Sequence, residues 1–267
     1  MQLTKAMKMV SASKLRRAQD RIIRLRPFAH RMNEVLRSLA SRANPAEHPL
    51  LQVREERRVE VVVVSGDKGL CGSFNTNVLK TAVSFAASLE GKEVSVQAVG
   101  KKGRDFFRRR RQALTAERAD IFRDLDFPMA VEIAGELIDR YVGGELDAVY
   151  VVYNEFKSAI QQRPTVERLI PIEPTEIAPG ETAEDYIYEP CPRDLFAQIL
   201  PRHVEIQIFR ALLESNAAEQ AARMTAMDSA TKNASELIDS LTLHMNRVRQ
   251  ASITTELIEV VSGAQAL

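Results

Sequence analysis

Hydrophobic positions near the C-terminus recur at helical spacing. Ile238, Leu241, Met245 and Val248 step by three and four, the interval of a coiled-coil seam. Carrying that register on gives Ser252, Thr255 and Glu259, so the apolar stripe drifts or ends there. The same region lacks Gly and Pro from Arg202 to Ser262, 61 residues bounded by Pro201 and Gly263. Pro before and Gly after a periodic run are the punctuation of a helix. At 1.5 Å per residue this predicts a rod of roughly 90 Å. A single globular core cannot cover such a rod, so it must pack along another long helix. Asn216-Ala217-Ala218-Glu219-Gln220-Ala221-Ala222 puts small side chains on every face, which either lets two helix backbones approach closely or simply reflects the high helix propensity of Ala.

The other end of the chain offers the partner. Met1 to Ala43 holds no Gly and one proline, Pro27, before Asn44-Pro45. That predicts roughly 65 Å of helix with a bend at Pro27. Between the rods, residues 59–198 read as an α/β domain. Val59–Ser65 is a β-branched run ending in a Gly-rich turn, and Asn75–Leu89 is helical. Glu93–Val99 alternates as a strand, Lys102–Arg111 returns to helix, Met129–Tyr141 is a further helix and Asp147–Tyr153 a strand. Such alternation predicts a mainly parallel, doubly wound sheet. Pro171 to Pro192, with five prolines and several acids, reads as an irregular connection back to the long helix. The two rods leave this domain side by side as an antiparallel coil.

Charge changes the picture. The net value of +1 hides a first segment, residues 1–43, with eleven Lys or Arg against Asp20 and Glu34. Such asymmetry marks an interaction surface. Nucleic acid is the generic partner of a basic helix, but readers of RNA or DNA interleave aromatics, and Phe28 is the only aromatic in that segment. No run approaches the ~20 apolar residues of a membrane-spanning helix, and Met1–Arg17 lacks the uncharged stretch of a secretory signal; the chain is taken as cytoplasmic.

Candidate chemistry is thin. Gly66-Asp67-Lys68-Gly69-Leu70-Cys71-Gly72 follows a strand and precedes a helix, where phosphate loops sit. It is neither GxGxxG nor GxxxxGK[ST], and a tight turn explains it better. His30, His48, His203 and His244 are scattered, without the spacing of metal ligands. Cys71 and Cys191 form no zinc pattern or disulfide framework. Arg108 to Arg111 suits a helix C-terminus, with a docking patch as the alternative. No catalytic, cofactor or metal site emerges.

Both termini carry a family pattern. Thr4-Lys5-Ala6-Met7-Lys8-Met9-Val10-Ser11-Ala12-Ser13-Lys14-Leu15 resembles the N-terminal signature of the γ subunits of F-type ATP synthases. Glu219-Gln220-Ala221-Ala222-Arg223-Met224 and Asn246–Gly263, with Arg249-Gln250-Ala251-Ser252-Ile253-Thr254, resemble the C-terminal one, and Gly69-Leu70-Cys71-Gly72 and Tyr188-Glu189-Pro190 also fit. The resemblance covers essentially the whole chain in order.

It implies an antiparallel two-helix shaft with a Rossmann-like α/β domain between its strands of helix: 1–43 and 202–262 as shaft, 59–198 as domain. It implies a non-catalytic rotor with no cofactor, turning inside three α and three β subunits, its base on the membrane c-ring and an ε subunit against the sheet domain. By the same resemblance Arg223, Arg249, Gln250, Thr254 and Glu256 engage β loops, Met7 faces β with Lys8 adding charge, and Arg202, His203 and Glu205 form the foot on the c-ring. Family members usually begin well upstream of the Thr-Lys-Ala-Met motif, whereas Met1 stands three residues before Thr4, implying a misassigned or truncated start. No inserted Cys pair of the chloroplast kind is present, favouring a bacterial source and the cytoplasmic face of its plasma membrane. Two other classes stand beside this one: a nucleotide-dependent α/β enzyme, recognisable by ATP or NAD binding, and a self-associating scaffold, recognisable as a stable homodimer.

Overall fold

The computed structural model describes residues 2–40, 48–173 and 192–265. Two helices dominate it: α1 (Gln2–Ala40) and α5 (Pro192–Gln265). Between them run β1 (Arg58–Val64), α2 (Phe74–Ser88), β2 (Glu93–Val99), α3 (Lys101–Arg109), β3 (Leu114–Arg118), α4 (Phe127–Val142), β4 (Ala148–Phe156) and β5 (Gln162–Ile170). The strands form one sheet in the order β3-β2-β1-β4-β5. β1 pairs in parallel with β2 and β4, and β2 with β3, while β5 is antiparallel to β4. The predicted strands and helices match to within three residues. β3 and β5 were not foreseen. Both are edge strands: β3 is short and polar, and β5 carries Pro164, which an edge tolerates because its missing N–H bonds nothing.

β1 is central and β-branched because helices cover both of its faces. Val59, Val61 and Val63 pack with Val78, Leu79 and Ala82 of α2 and Phe107 of α3. Val62 and Val64 join Ile133, Ala134 and Leu137 of α4 and the α1–α5 pair in the larger core. Glu60 breaks the apolar run yet is fully buried. It accepts from Arg140 Nη1 at 3.1 Å and from Thr115 Oγ1 at 3.3 Å, and also from the Ser95 hydroxyl. A buried carboxylate survives only with such partners.

The long helices differ from expectation in two ways. α5 begins before Pro201 and continues through Gly263, so neither residue marks its end. Pro201 lacks the amide that would bond the carbonyl four residues back, a cost of about 3 kcal/mol. Burial of Leu200, Val204 and Ile208 around it offsets that, at roughly 1.5–3 kcal/mol per side chain. α1 likewise runs through Pro27. The second difference concerns the seam. Ile238, Leu241, Met245 and Val248 do not face α1; they are 51–59 % exposed. The packed seam lies nearer the sheet, where Ser11, Leu15, Ala18 and Ile22 of α1 and Ala217 and Ala221 of α5 are buried. Thr231 Oγ1 donates to Thr4 Oγ1 at 2.8 Å and Lys8 pairs with Asp228 at 2.5 Å, which fixes an antiparallel register. Stepping along both helices from there sets Ala18 level with Ala217 and Met32 level with His203. The predicted stop at Ala43-Asn44-Pro45 and most of the Pro-rich connection, with Tyr188-Glu189-Pro190 and Cys191, lie outside the described residues.

Gly100, between β2 and α3, has φ 96°, and a Cβ there would stand 2.1 Å from the Ser65 carbonyl oxygen. Replacing it by Ala forces both an unfavourable left-handed conformation and a backbone clash. Gly100→Ala is expected to lower unfolding free energy by at least about 2 kcal/mol, read by chemical denaturation; a loss below about 0.5 kcal/mol contradicts the packing described.

Candidate functional site

In a doubly wound sheet the ligand crevice lies at the carboxyl ends of the strands where their order reverses. Here that point is the end of β1 beside β4. The crevice is already filled, and what fills it is α5. The turn from β1 to α2, Gly66–Gly72, folds over the helix: Cys71 and Phe74 pack on Ala218 and Ala222, with Phe156 of β4. Arg223 sends Nε and Nη2 to the Gly69 carbonyl oxygen at 3.4 and 3.3 Å, Nη1 to Gln220 Oε1 at 3.2 Å, and pairs with Glu219 one turn back. A Cβ on Gly66 would sit 3.0 Å from the Glu219 carboxyl, so glycine there makes room for that side chain. Asn75 ties the turn together, accepting from Gly66 N at 2.9 Å and donating to the Lys68 carbonyl at 3.3 Å. Burial raises the pKa of Glu219, and the Arg223 guanidinium opposes that rise.

The amides that open α3 are spoken for as well. Lys101 N donates to Asp67 Oδ1 at 3.0 Å, Lys102 N to the Gly66 carbonyl at 3.1 Å and Gly103 N to Ser65 Oγ at 2.8 Å. The first amides of α3 are therefore not free for a phosphate. Leu70, in the same turn, has φ 61° and is 63 % exposed. A left-handed leucine costs roughly 1–2 kcal/mol, and its apolar side chain points away from the core.

Of the residues singled out from sequence, Arg223 is inside this joint, only 9 % exposed, and its guanidinium is turned inward. Met7 is half-buried on α1, and Lys8 is held by Asp228, which also takes Lys232 at 3.5 Å. Arg249, Gln250, Thr254 and Glu256 all stand exposed on the far part of α5. There Thr254 Oγ1 donates to the Gln250 carbonyl at 2.9 Å and Ser252 Oγ to Glu256 at 3.4 Å. From Leu237 to Val261 the large apolar side chains are 49–70 % exposed. This length of helix has no partner among the described residues. An apolar surface of that extent marks an interaction site.

Arg202, His203 and Glu205 come together at the opposite end of α5. Arg202 Nη1 pairs with Glu205 at 2.8 Å and lies over the Phe127 ring, 4.4 Å from its centroid. Phe127 in turn meets Phe209 edge to face. His203 points inward. Its Nε2 lies 3.5 Å from Gln207 Nε2, its Nδ1 is buried without a partner among the described residues, and burial, helped by Arg210, lowers its pKa to about 4. The exposed surface here is Arg202 and part of Glu205, with His203 behind it.

The ATP synthase family model matches residues 1–267. The ATP synthase gamma chain of Geobacter metallireducens is 47% identical over 268 residues, covering 100% of this chain and 93% of the relative. The gamma chain of Solibacter usitatus is 51% identical over 269 residues, covering 99% and 93%. The chain belongs to the ATP synthase gamma chain family. A solved central stalk and c-ring of Tetrahymena thermophila mitochondrial ATP synthase aligns at TM-score 0.65 and 27% identity, covering 86% of this chain and 99% of that one. The rotor of the Euglena gracilis mitochondrial enzyme shares the fold at TM-score 0.64 and 20% identity, covering 94% and 93%. Among the described residues of this gamma chain relative, no helix is long and apolar enough to cross a membrane.

Sequence reasoning missed Glu219 and Leu70 as parts of the joint. A Glu four residues before an Arg on a helix reads as an ordinary surface pair, and nothing local announces burial. Two measurements check this geometry. Arg223→Ala strands a buried carboxylate and is expected to cost about 3–5 kcal/mol in denaturant unfolding; a cost below about 1 kcal/mol means that the pair is solvated. For His203, the folded pKa lies below the ordinary 6.5, so the unfolded chain takes up the proton first. Stability from this group is complete above pH 6.5 and is lost as pH falls to about 4, by up to roughly 3 kcal/mol. The full chain should lose that much more stability over this interval than His203→Gln; parallel curves mean that His203 is not held neutral.

Proposed function

We propose that the chain is the central rotor shaft of an F-type ATP synthase, coupling ion-driven c-ring rotation to ATP synthesis, or the reverse, at an α3β3 head. The observation that carries this reading is a single apolar helix standing clear of a two-helix shaft and rooted in the α/β domain by the Arg223 joint. The reading is supported by the gamma chain relatives, by the likeness to a solved central stalk at 27% identity, and by the packing of α5 against the β1–α2 turn at the strand ends. The chain contributes no catalytic site: the nucleotide chemistry belongs to the α and β subunits.

In this reading the segments 1–43 and 202–262 supply the shaft, and 59–198 the base. Arg249, Gln250, Thr254 and Glu256, exposed near the far end of α5, engage the β subunits, joined by Met7 and by Lys8 at the mouth of the shaft. The basic N-terminal helix faces acidic loops of the head, so that attraction is spread around a circle and no one angle becomes a deep trap. Leu257 to Val261 turns in an apolar sleeve without directional bonds. Arg202 and Glu205, backed by His203, touch the c-ring, and ε packs on the sheet domain. Arg223 acts from within: it keeps the base from turning about its own axle. The complex holds the chain peripherally on the cytoplasmic face of a bacterial plasma membrane.

The test is reconstitution of the complex with Arg249→Ala and Gln250→Ala together. Both side chains are exposed and lie far from the joint, so assembly is expected to persist while ATP synthesis at fixed ion-motive force falls several-fold, about 1 kcal/mol or more of lost coupling. Synthesis at the unsubstituted rate contradicts the roles assigned to these residues.

A further inference from the structure

A groove runs between α2 and α3 on the sheet face turned away from the shaft. It holds about 580 Å³, and its floor includes Leu79, Val83 and Phe106. Its rims are basic. Lys80 stands on the α2 side, with Lys102, Arg109 and Arg110 on the α3 side, all exposed. The neighbouring charges are internally balanced: Lys101 pairs with Asp120, Arg104 with Asp105 and Arg108 with Glu117. The four rim cations have no acidic hydrogen-bond or ion-pair partner among the described residues. Arg110 lies over the Phe106 ring, 4.1 Å from its centroid, which keeps one cation poised directly above the apolar floor.

We propose that this groove docks an acidic amphipathic segment of a partner protein, independently of the rotor surfaces. Three features select that occupant. Lys102 and Arg109 are seven residues apart on α3, so the positive charge is spread over roughly 10 Å of groove and does not converge on a point. A phosphate group wants convergent donors, and the first amides of α3, its natural anion site, are already bonded to Asp67, Gly66 and Ser65. The apolar floor lies between the charged rims, which fits a segment whose apolar side chains recur at helical spacing and are flanked by carboxylates. The rims supply attraction and orientation, and the floor supplies burial.

The probe is a fluorescent synthetic helix-forming peptide with Leu at spacings of three and four and Glu at flanking positions, titrated against the full chain and against the assembled complex. Saturable binding is expected, weakened at least about tenfold by Lys80→Glu with Arg109→Glu and several-fold by Val83→Asp. Arg123→Glu, an exposed change away from the groove, should leave it within about twofold. Circular dichroism of each variant confirms that the domain is folded; should Val83→Asp fail to fold, the rim pair, at exposed positions, decides. Four results overturn the proposal: no saturable binding, binding indifferent to the rim substitutions, polyglutamate of equal charge binding as tightly, or displacement of the peptide by inorganic triphosphate or by vesicles of anionic lipid.

Discussion

A helix of 74 residues holds its shape in water only where something covers its apolar stripe, because propensity alone stabilises long helices weakly. The rest of this structure answers that constraint in sections. From Leu200 to Leu213, α5 is sealed against β4, α4 and the sheet. Along the middle α1 covers it, with small residues at Ala217 and Ala221 admitting the partner closely. Beyond Thr231 nothing in the described chain covers it, and the exposed apolar side chains there remain for a surface outside the molecule. Shaft, joint and tip are three solutions to one burial problem.

The joint gives the division of labour its mechanics. Two parallel cylinders in apolar contact can slide or roll, since the hydrophobic effect has no direction. Resistance to twist needs bonds with geometry. The Arg223 guanidinium, in its fixed fork, clamps the Gly69 carbonyl while Glu219 fills the space left by Gly66. The crevice that doubly wound sheets offer to nucleotides has become a socket for an axle. That occupation accounts for a strand–turn–helix with glycines and no phosphate motif better than a degenerate binding loop does.

Much of this was legible from residues in order. The Gly- and Pro-free run foretold α5, and the β-branched block Val59–Val64 foretold a central strand, because each depends on local chemistry repeated many times. The seam was legible in kind but not in place. Spacing of three and four occurs on Ile238–Val248, yet which stretch of α5 meets α1 depends on where the sheet domain releases each helix, a distance that no local pattern encodes. The stripe on α1 is diluted by Ser11 and Ala18, whose small side chains suit close helix packing but leave a weak hydrophobic signal. β5 hid behind Pro164, and the inward turn of Arg223 behind a spacing that surface helices share. The rotor contacts came from resemblance, and exposure of Arg249, Gln250, Thr254 and Glu256 is compatible with them.

The central claim is that α1 ends its pairing near Thr231 and that α5 continues beyond it as one stiff, straight helix. Pulsed electron–electron double resonance between spin labels on Lys5→Cys and Leu257→Cys, with Cys71 and Cys191 replaced by Ala, tests this most directly. Lys5 lies level with the turn at Thr231, so the account predicts one narrow distance distribution centred near roughly 40 Å. A broad distribution, or a maximum below about 25 Å, would mean that the helix bends back or frays, and the axle would not exist.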